Sequence, residues 1–149
     1  MNIDFAQLLT AETRATERLD GARAKARAQV LDAIAAVAEA MTGPIPLAEK
    51  LCWSAKEAAA RACAEGQATE AEAALIAGEA AMTGEDAADL VGRILTNAEA
   101  WRGTIAMLTG LRRAAEAAID AAEDPAAVEM VAAATLQRLD TSAPGLTAT

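Results

Sequence analysis

From about Glu85 to Ala122 nothing in the chain breaks a helix, and apolar residues recur at alternating three- and four-residue steps: Ile94, Ala98, Trp101, Ile105, Leu108, Ala115, Ile119 and Ala122. That spacing holds one face of a helix towards a neighbour for many turns. Arg112 alone interrupts the seam. At ~1.5 Å per residue the helix would be roughly 55 Å long, longer than a small domain is wide. Other helices must therefore lie along it, and the rest of the chain has to supply them.

The supply is unusual. Of the 149 residues 54% are hydrophobic, yet 2% are aromatic, with no Tyr and one Phe, so the apolar content is mostly Ala. Alanine is the best helix former but removes little surface from water, so a monomer made from it gains less from its core than the hydrophobic count suggests. The expected fold is an all-α helical bundle with a long N-terminal helix and a long fourth helix, elongated and oligomeric.

Met1 to Leu9 precede the first strong helix start and carry Phe5, Leu8 and Leu9, which form either a docking arm or the first packing contact of the fold. Thr10 stands where an N-cap belongs, with Glu12 in the first turn, where a negative charge suits the helix dipole. The helix runs to about Met41. Its first half, Glu12 to Arg27, is of mixed charge with a thin line of Ala15, Leu19, Ala22 and Ala26; its second half thickens into Val30, Ile34, Val37 and Met41. The first half reads as projecting, or wound with copies of itself in a coiled coil, and the second as core.

Thr42-Gly43-Pro44-Ile45-Pro46 stops this helix. A second helix, from Pro46 or Leu47 to Ala64, places Leu47, Leu51, Ala55, Ala58 and Ala62 on one face and Trp53 on another, and Gly66 closes it. Thr69-Glu70-Ala71-Glu72 fits a capping box for a short third helix ending near Met82. Thr83-Gly84-Glu85-Asp86 leads into the long helix by so short a connection that the third and fourth helices are expected to be antiparallel neighbours. Asp124 and Pro125 suit the N-cap and first residue of a last helix to about Leu139, and Asp140 to Thr149 reads as a flexible tail for a partner to order. The domain reading is 1–42, arm and oligomerisation helix; 44–139, helical bundle; 140–149, tail.

The net charge of -9 argues against nucleic acid or an anionic membrane as partner, since both call for clustered Lys and Arg. Eight acids between Glu65 and Glu99 against Arg93 alone form a belt, either a solvated face or a dock for a basic partner. No signal peptide is visible at the start, and no run of about 20 apolar residues suggests a membrane span. Synthesis in the cytoplasm is expected.

With no histidine, the commonest general base and transition-metal ligand are missing. Ser54 and Lys50, one turn apart, are a geometrically possible but unsupported nucleophile and base. Cys52 and Cys63 would sit roughly 16 Å apart on one helix, too far to bond, and read as small hydrophobes. Pairs such as Glu70 and Glu72, or Asp86 and Asp89, lack the turn-rich loop of a calcium site and the cleft of a glycosidase. No catalytic, cofactor-binding or metal-ligating residues, no cofactor and no small-molecule substrate are expected.

The candidate functional residues are therefore packing and interface positions: Phe5, Leu8, Leu9, Leu19, Val30, Trp53, Trp101, Gly103 and Gly110. Each Trp carries an outsized share of apolar area in such a chain, as a core residue or as an interface anchor. Gly103 and Gly110, one heptad apart, either form a smooth strip for the close approach of another helix or are tolerated without purpose.

The stretch Glu49-Lys50-Leu51-Cys52-Trp53-Ser54-Ala55-Lys56-Glu57-Ala58-Ala59-Ala60-Arg61-Ala62, with the later runs Asn97-Ala98-Glu99-Ala100-Trp101-Arg102 and Gly110-Leu111-Arg112-Arg113, resembles small Ala-rich helical proteins of bacteriophage and prophage tail gene modules. Cys52 stands where that pattern would have Ser or Thr. The resemblance implies a non-enzymatic tail-fibre, tail-tip or baseplate accessory protein, a homo-oligomer in contact with other tail proteins and located in the virion tail. The alternative it implies is a cytoplasmic chaperone for tail-fibre assembly that is not retained in the virion.

Overall fold

The computed structural model describes residues 5–142, with side chains described from Thr10 onwards. Five helices follow one another: α1 (Phe5–Thr42), α2 (Leu47–Ala64), α3 (Glu70–Thr83), α4 (Ala87–Ala121) and α5 (Pro125–Ser142). Among the described residues there is no strand. The fold is all-α, with the long first and fourth helices that the sequence leads one to expect.

Most helix ends follow from local chemistry. Thr69 accepts a hydrogen bond from the Glu72 N–H while the Thr69 N–H donates to the Glu72 carboxylate at 2.8 Å, which completes the expected capping box. The Asp124 carboxylate accepts from the Ala127 N–H at 2.8 Å at the start of α5, and Asp86 accepts from the Ala88 N–H at 2.8 Å at the start of α4. At the end of α3, Gly84 takes φ 77°, a conformation costly for any residue with a Cβ, and its N–H reaches the Ala80 carbonyl.

One start differs. α1 begins at Phe5 rather than behind a cap at Thr10, so Thr10 lies inside the helix. Ala6, Gln7, Leu8 and Leu9 are good helix formers with no glycine or proline among them, and nothing obliges the helix to wait for a side-chain cap. At the other end of the chain α5 continues to Ser142, about one turn past the expected stop. Residues 143–149, most of the expected tail, lie outside the described part.

The chain packs as two units: Met1–Gly43 with Met107–Thr149, and Pro44–Ala106. One border falls in the Gly-Pro link after α1. The other falls inside α4, in a stretch with no helix breaker.

In the first unit, Ala26 of α1, Ile119 of α4, Ala122 and the α5 residues Val128 and Ala132 form a buried cluster, with Leu19, Ala22, Ala127 and Val131 packed at its edge. Small residues on α1 let the helices approach until the branched side chains fill the space between them. Along α1 the side chains from Thr10 to Arg18 are all exposed, Leu19 and Ala22 are half-buried, and Ala26 and Val30 are buried. Arg23 closes the open end of α4: its guanidinium donates to the Asp120 carbonyl at 3.0 Å and the Ala122 carbonyl at 2.8 Å. These are carbonyls that a helix end leaves without partners, at the negative pole of the helix dipole. Arg27 pairs with the Asp120 carboxylate beside it.

In the second unit the core is formed by Ala59 and Ala60 of α2, Ile76 and Ala80 of α3 and Leu90 of α4, with Cys63, Val91, Ile94 and Leu95 against them. Trp53 of α2 meets Trp101 of α4 edge to face, ring centroids 5.6 Å apart at 87°. Early α2 thus pairs with the middle of α4, and late α2 with early α4, so the two run antiparallel. The face of α2 that carries Leu47, Leu51, Ala55, Ala58 and Ala62 is not the buried one. Leu47 and Leu51 are 71% and 72% exposed, Ala55 and Ala58 are exposed, and the buried face is the opposite one. Alanines occur on every side of α2, so periodicity does not distinguish its faces. Ala59, Ala60 and the Trp53 contact with Trp101 decide the orientation.

Candidate functional site

The interface candidates separate once placed. Leu19 packs against the core of its own unit and Val30 is 2% exposed, so both serve the internal packing of the chain. A charged residue at Leu19 would therefore damage the fold before it reported on any coiled coil. Trp53 and Trp101 are half-buried, each covering the other, as expected for the two residues with most area to hide. Gly103 and Gly110 are exposed, and a Cβ built at either meets nothing within 4 Å among the described residues. Phe5, Leu8 and Leu9 lie outside the residues whose side chains are described. Of the two cysteines, Cys63 packs as a small hydrophobe, whereas Cys52 is exposed and does not.

The polar contacts of the second unit gather around α2. Glu57 receives both Arg61, at 2.9 Å, and Arg102 of α4; Lys56 reaches Glu79 of α3 at 2.7 Å. The hydrogen bond from Arg61 holds the Glu57 carboxyl below the ordinary carboxylate range, helped by the charge of Arg102 and opposed by partial desolvation. Glu72 is also held low, first by the Thr69 N–H and then by the Thr69 hydroxyl. These pairs tie α2 to α3 through Lys56 and to α4 through Glu57. An open depression of about 510 Å³ runs beside them, lined by Ser54, Glu57, Ala58, Arg61, Ala62, Glu65, Gln67 and Glu72. Three of those eight are carboxylates, two alanines are the apolar part, and the depression is not enclosed, so it lacks the largely apolar walls and the exclusion of water that a small-molecule site uses.

Sequence periodicity missed the outward faces of this unit. Leu47 and Leu51 on α2, Leu75 and Met82 on α3, and Ile105 on α4 are all exposed. The available signal was α3 itself, which is apolar on every side apart from its three glutamates and terminal Thr83. A helix apolar all round is normally an enclosed one.

Among the described residues no group of three His, Cys, Asp or Glu side chains is placed to hold a metal ion, and no single helix is long and apolar enough to cross a membrane. No protein-family model, no curated protein and no solved structure matches this chain. The resemblance to phage tail proteins accordingly rests on residues 49–62, 97–102 and 110–113 alone.

Proposed function

We propose that this chain is a non-enzymatic structural or accessory protein of the phage-tail type, an adaptor of the tail fibre, tail tip or baseplate that works through helix–helix contacts with other tail proteins and with copies of itself. The observation that supports it is the exposure of Leu47 and Leu51, one turn apart on the face of α2 that looks away from the core. Covering each of them would gain about 2 kcal/mol. The same two side chains border or lie in the stretch 49–62 that resembles tail proteins, so the part of the sequence that carries the resemblance also carries the exposed apolar face.

Quantitative mass spectrometry of density-purified phage particles from the source strain, set against the cleared lysate, tests the proposal. A fixed copy number per particle is the expected result. Abundance in the lysate with absence from particles would replace the adaptor by the tail-fibre assembly chaperone, and absence from both would reject the phage assignment.

A further inference from the structure

We infer that the outward face of α3 is a docking surface for an amphipathic helix with basic edges, supplied by a different protein. The inference deepens the reading of the chain as a helix-binding adaptor but stands on α3 rather than on α2. Ala71, Ala74, Leu75, Gly78 and Met82 follow the three-four spacing of one helix face, and all are exposed, Leu75 at 43% and Met82 at 91%. That face is opposite Ile76 and Ala80, the two α3 residues buried in the core of the unit. Gly78 has open space where a side chain would be, so the centre of the face is low, with Leu75 and Met82 rising on either side along the helix. A ridge of apolar side chains from another helix fits such a surface.

Charge identifies the occupant. The strip is edged by Glu70 on one side and by Glu72 and Glu79 on the other, and α3 carries no cation. The surrounding unit, residues 44–106, holds ten carboxylates against five cations. Four of those cations, Lys56, Arg61, Arg93 and Arg102, are already in ion pairs within the unit, and these pairs engage just Glu57, Glu79 and Glu85. The field over α3 is therefore negative, although two of the edging carboxylates are shared, Glu79 with Lys56 and Glu72 with Thr69 in the capping box, and Glu70 lies outside both. A second copy of the chain carries -9 as a whole, and of the cations on its α1 the two nearest the apolar positions, Arg23 and Arg27, are already held at the end of α4. A helix with Lys or Arg beside its apolar stripe meets both requirements at once: the stripe covers Leu75 and Met82, and the edges meet the glutamates.

The test uses the full chain, labelled for amide NMR, and two synthetic helical peptides of about 18 residues, roughly five turns, with identical Leu/Ala stripes but Lys or Glu at the edges. The Lys-edged peptide is expected to bind saturably in the micromolar range, to shift resonances of α3, and to weaken as salt screens the edges. Leu75→Gln with Met82→Gln, both at exposed positions that leave the core intact, should weaken it by about tenfold or more, while Leu47→Gln with Leu51→Gln on α2 should change it by less than about twofold. Equal binding of the Glu-edged peptide, shifts spread over the whole acidic surface, dependence on α2 instead of α3, or no binding would each overturn the inference. Self-association of the chain that disappears in the α3 double variant would assign the face to a second copy and overturn it as well. Particle mass spectrometry reads the adaptor proposal separately, so a chain found in particles whose α3 binds no basic helix would fail here alone.

Discussion

Val30, Leu108, Ile119, Val128 and Leu139 of the first unit are each no more than 2% exposed, whereas the second unit buries Ile76 and Leu90 as its large aliphatic side chains and fills the rest of its core with alanine. Five of the seven large apolar side chains left exposed among the described residues belong to the smaller second unit. The difference teaches where each unit gets its stability. The first encloses branched side chains between three helical segments and caps an open helix end with Arg23. The second holds itself together with small-residue contacts, one Trp pair and ion pairs from α2 to α3 and α4, and leaves five large apolar side chains exposed.

The contrast can be broken most directly in the cores. Ile119→Ala and Leu90→Ala should each cost about 3 kcal/mol, the range for a buried aliphatic truncated to alanine. Urea unfolding followed by Trp fluorescence reports on the second unit, which holds both tryptophans, so Leu90→Ala should move that signal fully. If Ile119→Ala moves it equally, the two units unfold as one and the division is a matter of packing alone.

Arg23→Ala should cost about 2 kcal/mol, because the α4 carbonyls lose a charged donor and the nearby Asp120 loses a favourable charge. A change under about half a kcal/mol in thermal denaturation would show that water replaces the cap without loss. In the opposite direction, Gly103→Ala and Gly110→Ala should each raise stability by about 1 kcal/mol, since a methyl at either position meets open space and alanine is the better helix former. Loss of an oligomer in light scattering on making either change would show instead that another helix approaches that strip.

Thr69→Ala should cost about 1 kcal/mol through loss of the capping box. The carboxyls of Glu72 and Glu57 lie below their ordinary range, so the stability they add is present above the unfolded-state pKa and is lost as pH falls through the lowered folded value. Acid unfolding profiles of Glu72→Gln and Glu57→Gln should accordingly be flatter across that window than the profile of the parent chain. Smallest of all, Leu51→Gln should change stability by less than about 0.5 kcal/mol, because the side chain is already in water. A larger loss would mean that the α2 face is covered in solution by the chain itself or by a copy of it.

Local signals were legible wherever a single residue type settles a single geometry. The glycine stops at Gly43 and Gly66, the capping box at Thr69 and Glu72, and the cap at Asp124 with Pro125 behind it were all readable in order along the chain. The apolar seam of the long helix was legible in its second half, where Leu108, Ala115, Ile119 and Ala122 are buried, and less so at Ile105, which is 38% exposed. The orientation of α2 was not legible, because Ala55 and Ala58 on one side look the same as Ala59 and Ala60 on the other. The role of Arg23 was hidden for a different reason: its partners are backbone carbonyls almost a hundred residues away, and a carbonyl has no sequence signature.

By itself, then, the sequence determined that this chain is helical, where four of its five helices begin to within about a turn, and that its core must be made largely of alanine. Those properties depend on propensity, capping and composition, which act within a few residues of the chain. The tertiary structure alone decided which faces are hidden, that α4 contributes to two packing units, and that α2 and α3 turn leucine and methionine outward. Alanine is the physical reason: it favours the helix strongly but distinguishes its sides weakly, so the choice of face passes to a few Trp, Ile and Leu contacts between helices far apart in sequence.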